Sequence, residues 1–219
     1  MTTTGRADAF TVAATDGRLG GNAASIRATA RALAKVESAA AVVLVEGITD
    51  QVALSAAALG RGRDLEAERV VVVPIGGAHA IGRFLTGLAT RVRLAGLCDL
   101  LEEEVFRRAL VAAGVGAPHA RAEMARLGFH VCVKDLEDEL IRALGTAGVE
   151  ALLEAQGDLR SFRSFQSQPA WRGQQPQPQL WRFLRSSSRR NLRYARLLVE
   201  EAVRRDALPR PLDAVLSAV

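Results

Sequence analysis

The chain has 219 residues, 49% of them hydrophobic and only 5% aromatic, so aliphatic side chains must fill a core of one α/β domain with a small appendage. No apolar run approaches the ~20 residues of a membrane span, and the opening MTTTGRADAF lacks the basic and apolar regions of a signal peptide, so a cytoplasmic protein without membrane contact is expected. The net charge of +5 is unevenly spread: residues 160–210 hold twelve arginines against three acids, which leaves the rest net acidic and suits metal binding in one part and phosphate binding in the other.

Residues 1–20 are rich in Thr, Gly and Ala and carry no periodic pattern. From Asn22 to Ser38, Ile26, Ala30, Leu33 and Val36 recur at helical spacing, with Asn22 as a candidate cap. AAAVVLVEG then reads as a strand buried on both faces that ends abruptly at Glu46-Gly47. The same grammar repeats. Thr49 is placed to cap a helix reaching about Leu59, RVVVVPIGG (69–77) is a second buried strand, and a helix follows from about Ala78 to Leu88. RVRLAGLCD (91–99) and GFHVCVKD (128–135) are the third and fourth strands, trailed by the amphipathic LLEEEVFRRALVAAG and by LEDELIRALG, which Gly145 should close. Strand–helix alternation with short connections predicts βαβ units and a parallel sheet of about four strands flanked by helices.

Between Gly157 and Ser188 the texture changes to Gln, Ser, Pro and Arg, with both Trp residues, and is expected to be a loop. Arg189–Arg205 returns to a helical stripe that Pro209 and Pro211 should stop. The expected organisation is thus an N-terminal extension and helix (1–38), an α/β domain (39–156), and an Arg-rich loop with a C-terminal helix packed on it (157–219). Trp171 and Trp181 are expected to pack that loop on the body, with stacking on bases as the alternative.

In an open parallel sheet, ligands bind outside the carboxyl ends of the strands. Those ends carry Glu46 (with Asp50 one helical turn on), Gly76-Gly77, Asp99, and Asp135 with Glu137. Carboxylates converging on one edge repel one another unless a hard divalent cation neutralises them, so Mg²⁺ or Mn²⁺ is the expected cofactor; the alternative for each acid alone is a helix cap. His79, His119 and His130 match no zinc spacing, and Cys98 and Cys132 sit in apolar runs as reduced core thiols.

The segments VVLVEGITDQVAL, VVVPIGGAHAIGRFL, LAGLCDLLEEE and VCVKDLEDELIRAL together resemble the topoisomerase–primase (TOPRIM) domain, and more closely its version in overcoming-lysogenisation-defect (OLD) family nucleases. The resemblance covers roughly residues 40–145. It implies a TOPRIM α/β fold and Mg²⁺- or Mn²⁺-dependent endonuclease activity on DNA rather than RNA, with a homodimer or a partner ATPase as company. It implies Glu46 as metal ligand or proton-transfer group, Asp50 and Asp99 as further ligands, and Glu137 as an acid serving a second metal. Gly47, Gly76 and Gly77 would give the backbone close approach to a phosphate. In two places the chain departs from the pattern. The second acid of the family's Asp-x-Asp falls at Leu101, for which Glu102 is the candidate substitute. The family's lysine near the last helix is absent, leaving Arg190 as the candidate catalytic cation, with Arg189, Arg193 and Arg196 beside it to bind nucleic acid. The competing readings are a degenerate binding module of the same fold, a primase-like nucleotidyl transferase, and a phosphoacceptor receiver domain. The last needs a lysine after its final strand, and none follows Lys134.

Overall fold

The computed structural model describes residues 23–88 and 92–219. In chain order the elements are α1 (Ala23–Leu33), β1 (Ala41–Val45), α2 (Ile48–Gly60), β2 (Val70–Pro74), α3 (Ile81–Leu88), β3 (Arg93–Asp99), α4 (Glu103–Ala112), α5 (Arg121–Arg126) and β4 (Phe129–Cys132). Helices α6 (Leu136–Ala155), α7 (Leu159–Gln166), α8 (Pro176–Arg185), α9 (Ser188–Arg204) and α10 (Arg210–Ser217) complete the chain. The strands form one parallel sheet in the order β2-β1-β3-β4, with Val45 level with both Pro74 and Leu97, and Asp99 level with Cys132.

Because side chains alternate across a strand, the Val-rich strands feed two cores at once. Val43, Val45, Val72 and Leu97 face a layer built from α2 and α6 to α10, including Leu54, Leu140, Phe162 and Leu198. Val42, Leu44, Val73 and Cys98 face the other layer, where Phe84 of α3, Phe106 of α4 and Met124 of α5 pack. Gly96 lets the sheet close on itself: a Cβ there would lie 2.6 Å from the Phe129 ring and 3.1 Å from the Leu44 carbonyl.

Strand β2 lies at an edge, yet its open side offers little to pair with. Arg69 and Ile75 bond to β1, so the peptide groups of Val70, Val72 and Pro74 face outward. The Val70 N–H donates to the Leu65 carbonyl at 2.7 Å, Gln51 Nε2 donates to the Val72 carbonyl at 2.8 Å, and Thr29 Oγ1 donates to the Pro74 carbonyl at 2.5 Å. Proline has no N–H to offer, so local groups blunt this edge against strand addition.

Several local expectations need correction. The stretch read as a loop contains α7 and α8, because Phe162, Leu180, Phe183 and Leu184 recur at helical spacing and bury in the first core. Pro176 and Pro178 sit in the first turn of α8, where a missing N–H costs nothing. Pro211 likewise opens α10 where no helix was expected, and α5 was not anticipated either. Gly145 does leave helical geometry, at φ 70° and ψ 157°, but α6 resumes beyond it to Ala155. Thr49 is no cap: Gly47 holds that position at the start of α2. Asn22 and residues 1–20 lie outside the described residues.

Candidate metal centre

The strand order puts a topological switch at the middle of the sheet. The chain leaves β1 through α2 on one face and leaves β3 through α4 on the other, so a crevice opens between the carboxyl ends of these neighbours. Glu46 follows β1 and Asp99 ends β3, one on each side of it. The two are tied together: the Asp99 N–H donates to Glu46 Oε1 at 3.0 Å. The Glu46 carbonyl accepts the N–H groups of Gly76 and Gly77, at 3.1 and 3.0 Å. Those glycines have φ of 79° and 113°, backbone geometry that a side chain would strain.

After Asp99 the chain makes one 3₁₀ turn, Leu100–Glu102, before α4 begins. At three residues per turn, positions three apart eclipse, which stacks Glu102 on Asp99 and turns Leu101 out to 87% exposure. Carboxylate oxygens of Glu46, Asp99 and Glu102 all lie within 4.8 Å of one another. Among the described residues this is the one acidic, His or Cys group with metal-site geometry, and none of its members is in an ion pair.

Burial and mutual repulsion mark these groups electrically. Burial, then the charges of Glu46 and Asp50, push the Asp99 carboxyl up to about 9. Burial and the Glu137 charge push Asp50 up to about 7, although its Oδ2 accepts the Gly47 N–H at 2.8 Å. Burial also raises Glu46, against the pull of the Asp99 N–H. Unneutralised carboxylates that hold protons this tightly form an all-oxygen, hard donor set, which fits Mg²⁺ or Mn²⁺. Burial raises both Cys98 and Cys132, so neither supplies a thiolate.

A second acidic layer lies at the end of β4. Asp135 caps α6, its Oδ1 accepting the Asp138 N–H at 2.8 Å, while its Oδ2 accepts from Trp181 Nε1 at 2.6 Å and Arg185 Nη1 at 2.8 Å. The same Arg185 nitrogen reaches Glu137 Oε2 at 3.1 Å.

The family model of the TOPRIM domain of overcoming lysogenization defect protein-like proteins matches residues 39–98. These residues span β1 through nearly all of β3, the frame that carries Glu46, Asp50 and the approach to Asp99. Over residues 39–98 the chain is similar to an OLD-like TOPRIM domain, and its sheet has that fold. Among solved structures it is similar to the C-terminal region of the Xanthomonas campestris pv. campestris OLD protein, with 19% identity over 84% of this chain and 94% of that one and a TM-score of 0.64. It is also similar to the C-terminal region of the Burkholderia pseudomallei OLD protein, with 18% identity over 82% of this chain and 96% of that one and a TM-score of 0.58. No curated protein sequence matches it.

Within this fold the candidate residues divide. Glu46, Asp99 and Glu102 converge, while Asp50 and Glu137 sit behind them as neighbours of each other. The amides of Gly47, Gly76 and Gly77 serve Asp50 and the Glu46 carbonyl, so these glycines shape the site instead of presenting free N–H groups. Arg190 donates to the Phe183 carbonyl at 3.2 Å and Ser186 Oγ at 2.5 Å, and lies over the Phe183 ring. Arg193 pairs with Asp158, Arg196 pairs with Glu200, and Arg189 is exposed. Trp171 stacks on Phe165 at 5.0 Å, so it packs α7 against the turn before α8. The cation that does reach the acids, Arg185, was not singled out in the sequence. Its signal was present only indirectly, because it ends a helix that the Gln- and Pro-rich composition concealed.

Proposed function

We propose that the chain is a metal-dependent nucleic-acid phosphodiesterase, an endonuclease of the OLD-like TOPRIM type that acts on DNA. TOPRIM domains as a class act on nucleic acids with divalent metals. The observation that carries the proposal is the Glu46, Asp99 and Glu102 cluster at the switch point, three carboxylates with oxygens within 4.8 Å and no ion pair among the described residues. These three would hold Mg²⁺ or Mn²⁺. When bound, such an ion polarises a phosphodiester and makes its bound water a nucleophile near neutral pH. The Asp99 N–H fixes the rotamer of Glu46, and the Gly76 and Gly77 amides fix its backbone. Asp50, raised to about 7, can exchange its carboxyl proton near neutral pH within the same site. Action in the cytoplasm, as a homodimer or beside a partner ATPase, completes the proposal.

Wild-type protein should cleave DNA with Mg²⁺ or Mn²⁺, and Glu46→Ala and Asp99→Ala should each abolish cleavage while circular dichroism stays native. A second reading, nucleic-acid binding without cleavage, draws on position 101, where a leucine turned 87% to solvent stands in place of the acid of the resembled motif, and on Asn191 in place of its lysine. It would be preferred if wild type cut no DNA or RNA with Mg²⁺, Mn²⁺ or Co²⁺ yet bound DNA, equally well after all three acids were replaced.

A further inference from the structure

The carboxylates at the sheet edge form two groups that the fold treats differently. Glu46, Asp99 and Glu102 face the crevice with no cationic partner among the described residues. Asp50, Asp135 and Glu137 fall outside that cluster but near enough for their charges to act on Asp99; Asp135 and Glu137 are each only 5% exposed, and Glu137 is the foremost charge acting on Asp50. Ionised carboxylates this close and this buried need positive charge near them. Here the chain brings its own. Arg185, at the last turn of α8, places Nη1 at 2.8 Å from Asp135 Oδ2 and 3.1 Å from Glu137 Oε2.

Three contacts hold that guanidinium where it is. Its central carbon lies over the Trp181 ring, 4.9 Å from the centroid. The Trp181 indole N–H donates to the same Asp135 oxygen at 2.6 Å, which keeps the ring under the guanidinium. Asn191 of α9 also hydrogen-bonds Glu137. A divalent ion shared by Asp135 and Glu137 would need the space that Nη1 fills, because it would have to touch the same oxygens. The positive charge also extends forward, since Arg185 acts on Glu46 across the crevice.

We infer that Arg185 is a fixed second cation: the chain takes a single divalent ion, at Glu46, Asp99 and Glu102, and the guanidinium occupies the position between Asp135 and Glu137 that a second ion would take. This rests on the metal-site reading above. Arg185 is then a positioning residue for the acidic layer.

Equilibrium dialysis of the full chain against Mn²⁺, counted by the electron paramagnetic resonance of the free ion, tests the inference without measuring cleavage. Wild type should bind one Mn²⁺ per chain. Arg185→Ala should bind two, and Arg185→Lys, which keeps a positive charge, should bind one. Without metal, Arg185→Ala should melt below wild type, and saturating Mn²⁺ should raise its melting temperature by more than it raises that of wild type. If Arg185→Ala does not fold, Arg185→Gln replaces it, with two ions expected. Two ions on wild type would overturn the inference and leave the metal-site reading standing. One ion on wild type and on both neutral variants would also overturn it, reducing Arg185 to a brace between α8 and α6. No ion on wild type would take down the metal-site reading and this inference together.

Discussion

Replacing Asp99 with Asn should stabilise the metal-free protein above neutral pH. Asp99 is ionised in the unfolded chain above its ordinary value of 3.8, but in the folded protein its carboxyl keeps its proton up to about 9. The folded state therefore binds more protons, and the Asp99 contribution is fully present below about pH 4 and is lost as pH rises towards 9. Each tenfold change in proton affinity is worth about 1.4 kcal/mol, so an isolated group would cost about 6 kcal/mol at pH 8. Asp99 is partly solvated and its protonation is coupled to Glu46 and Asp50, which brings the figure to about 2 kcal/mol. Asn has no charge to lose. In EDTA at pH 8, Asp99→Asn should melt above wild type by about 4–8 °C, at roughly 2–4 °C per kcal/mol for a chain of this size. At pH 5 the advantage should shrink to below about 1 kcal/mol. Saturating Mn²⁺ should reverse the order, because only wild type gains the stability that comes from binding a ligand in the native state alone. Thermal unfolding followed by circular dichroism from pH 5 to 9, with EDTA and with Mn²⁺, measures all of this. If Asp99→Asn melted at or below wild type at pH 8 in EDTA, the argument from crowded like charges would fail.

Two further outcomes follow from local geometry. Glu102→Gln should weaken Mn²⁺ affinity at least tenfold by calorimetry, whereas Leu101→Asp, at a side chain turned 87% to solvent, should change it by less than about twofold and should not restore it in the Glu102→Gln background. Gly96→Ala should cost about 1–3 kcal/mol in urea unfolding, because its Cβ would meet the Phe129 ring at 2.6 Å and the fixed Leu44 carbonyl. Gly116→Ala, which meets only the flexible end of Leu127, should cost less.

The sheet and its acidic edge were legible because both rest on short-range pattern. A Val-rich run buried on both faces marks a parallel strand covered by helices on both sides, inside the sheet as for β1 or at its edge as for β2, and the acids at 46 and 99 mark where two such runs stop. The helices from 159 to 185 were not legible for the opposite reason. Their buried residues are few, and Phe162, Phe183 and Leu184 stand among Gln, Ser and Pro, whose weak propensity tertiary packing overrides. That failure hid Arg185, whose role depends on a helix end meeting α6. The basic segment was correctly located, but counting arginines could not say which would face acids. In the structure two of the four named, Arg193 and Arg196, pair with Asp158 and Glu200.

The spacing of the acids shows how the end of a strand decides which later residue joins the cluster. Along a strand, residues two apart share a face, so an acid two after Asp99 would stand beside it if β3 ran on. Here β3 ends at Asp99 itself, and the chain enters a 3₁₀ turn at once. The repeat of side-chain direction changes at that residue from two to three. Position 101 then points to solvent, where a leucine is tolerated, and position 102 falls into line with Asp99. Glutamate has one methylene more than aspartate, which gives its oxygen the reach to meet Glu46 from the far side of the turn. What a cation senses is where oxygens sit, and in this chain the residue that stops the strand decides which later position supplies one.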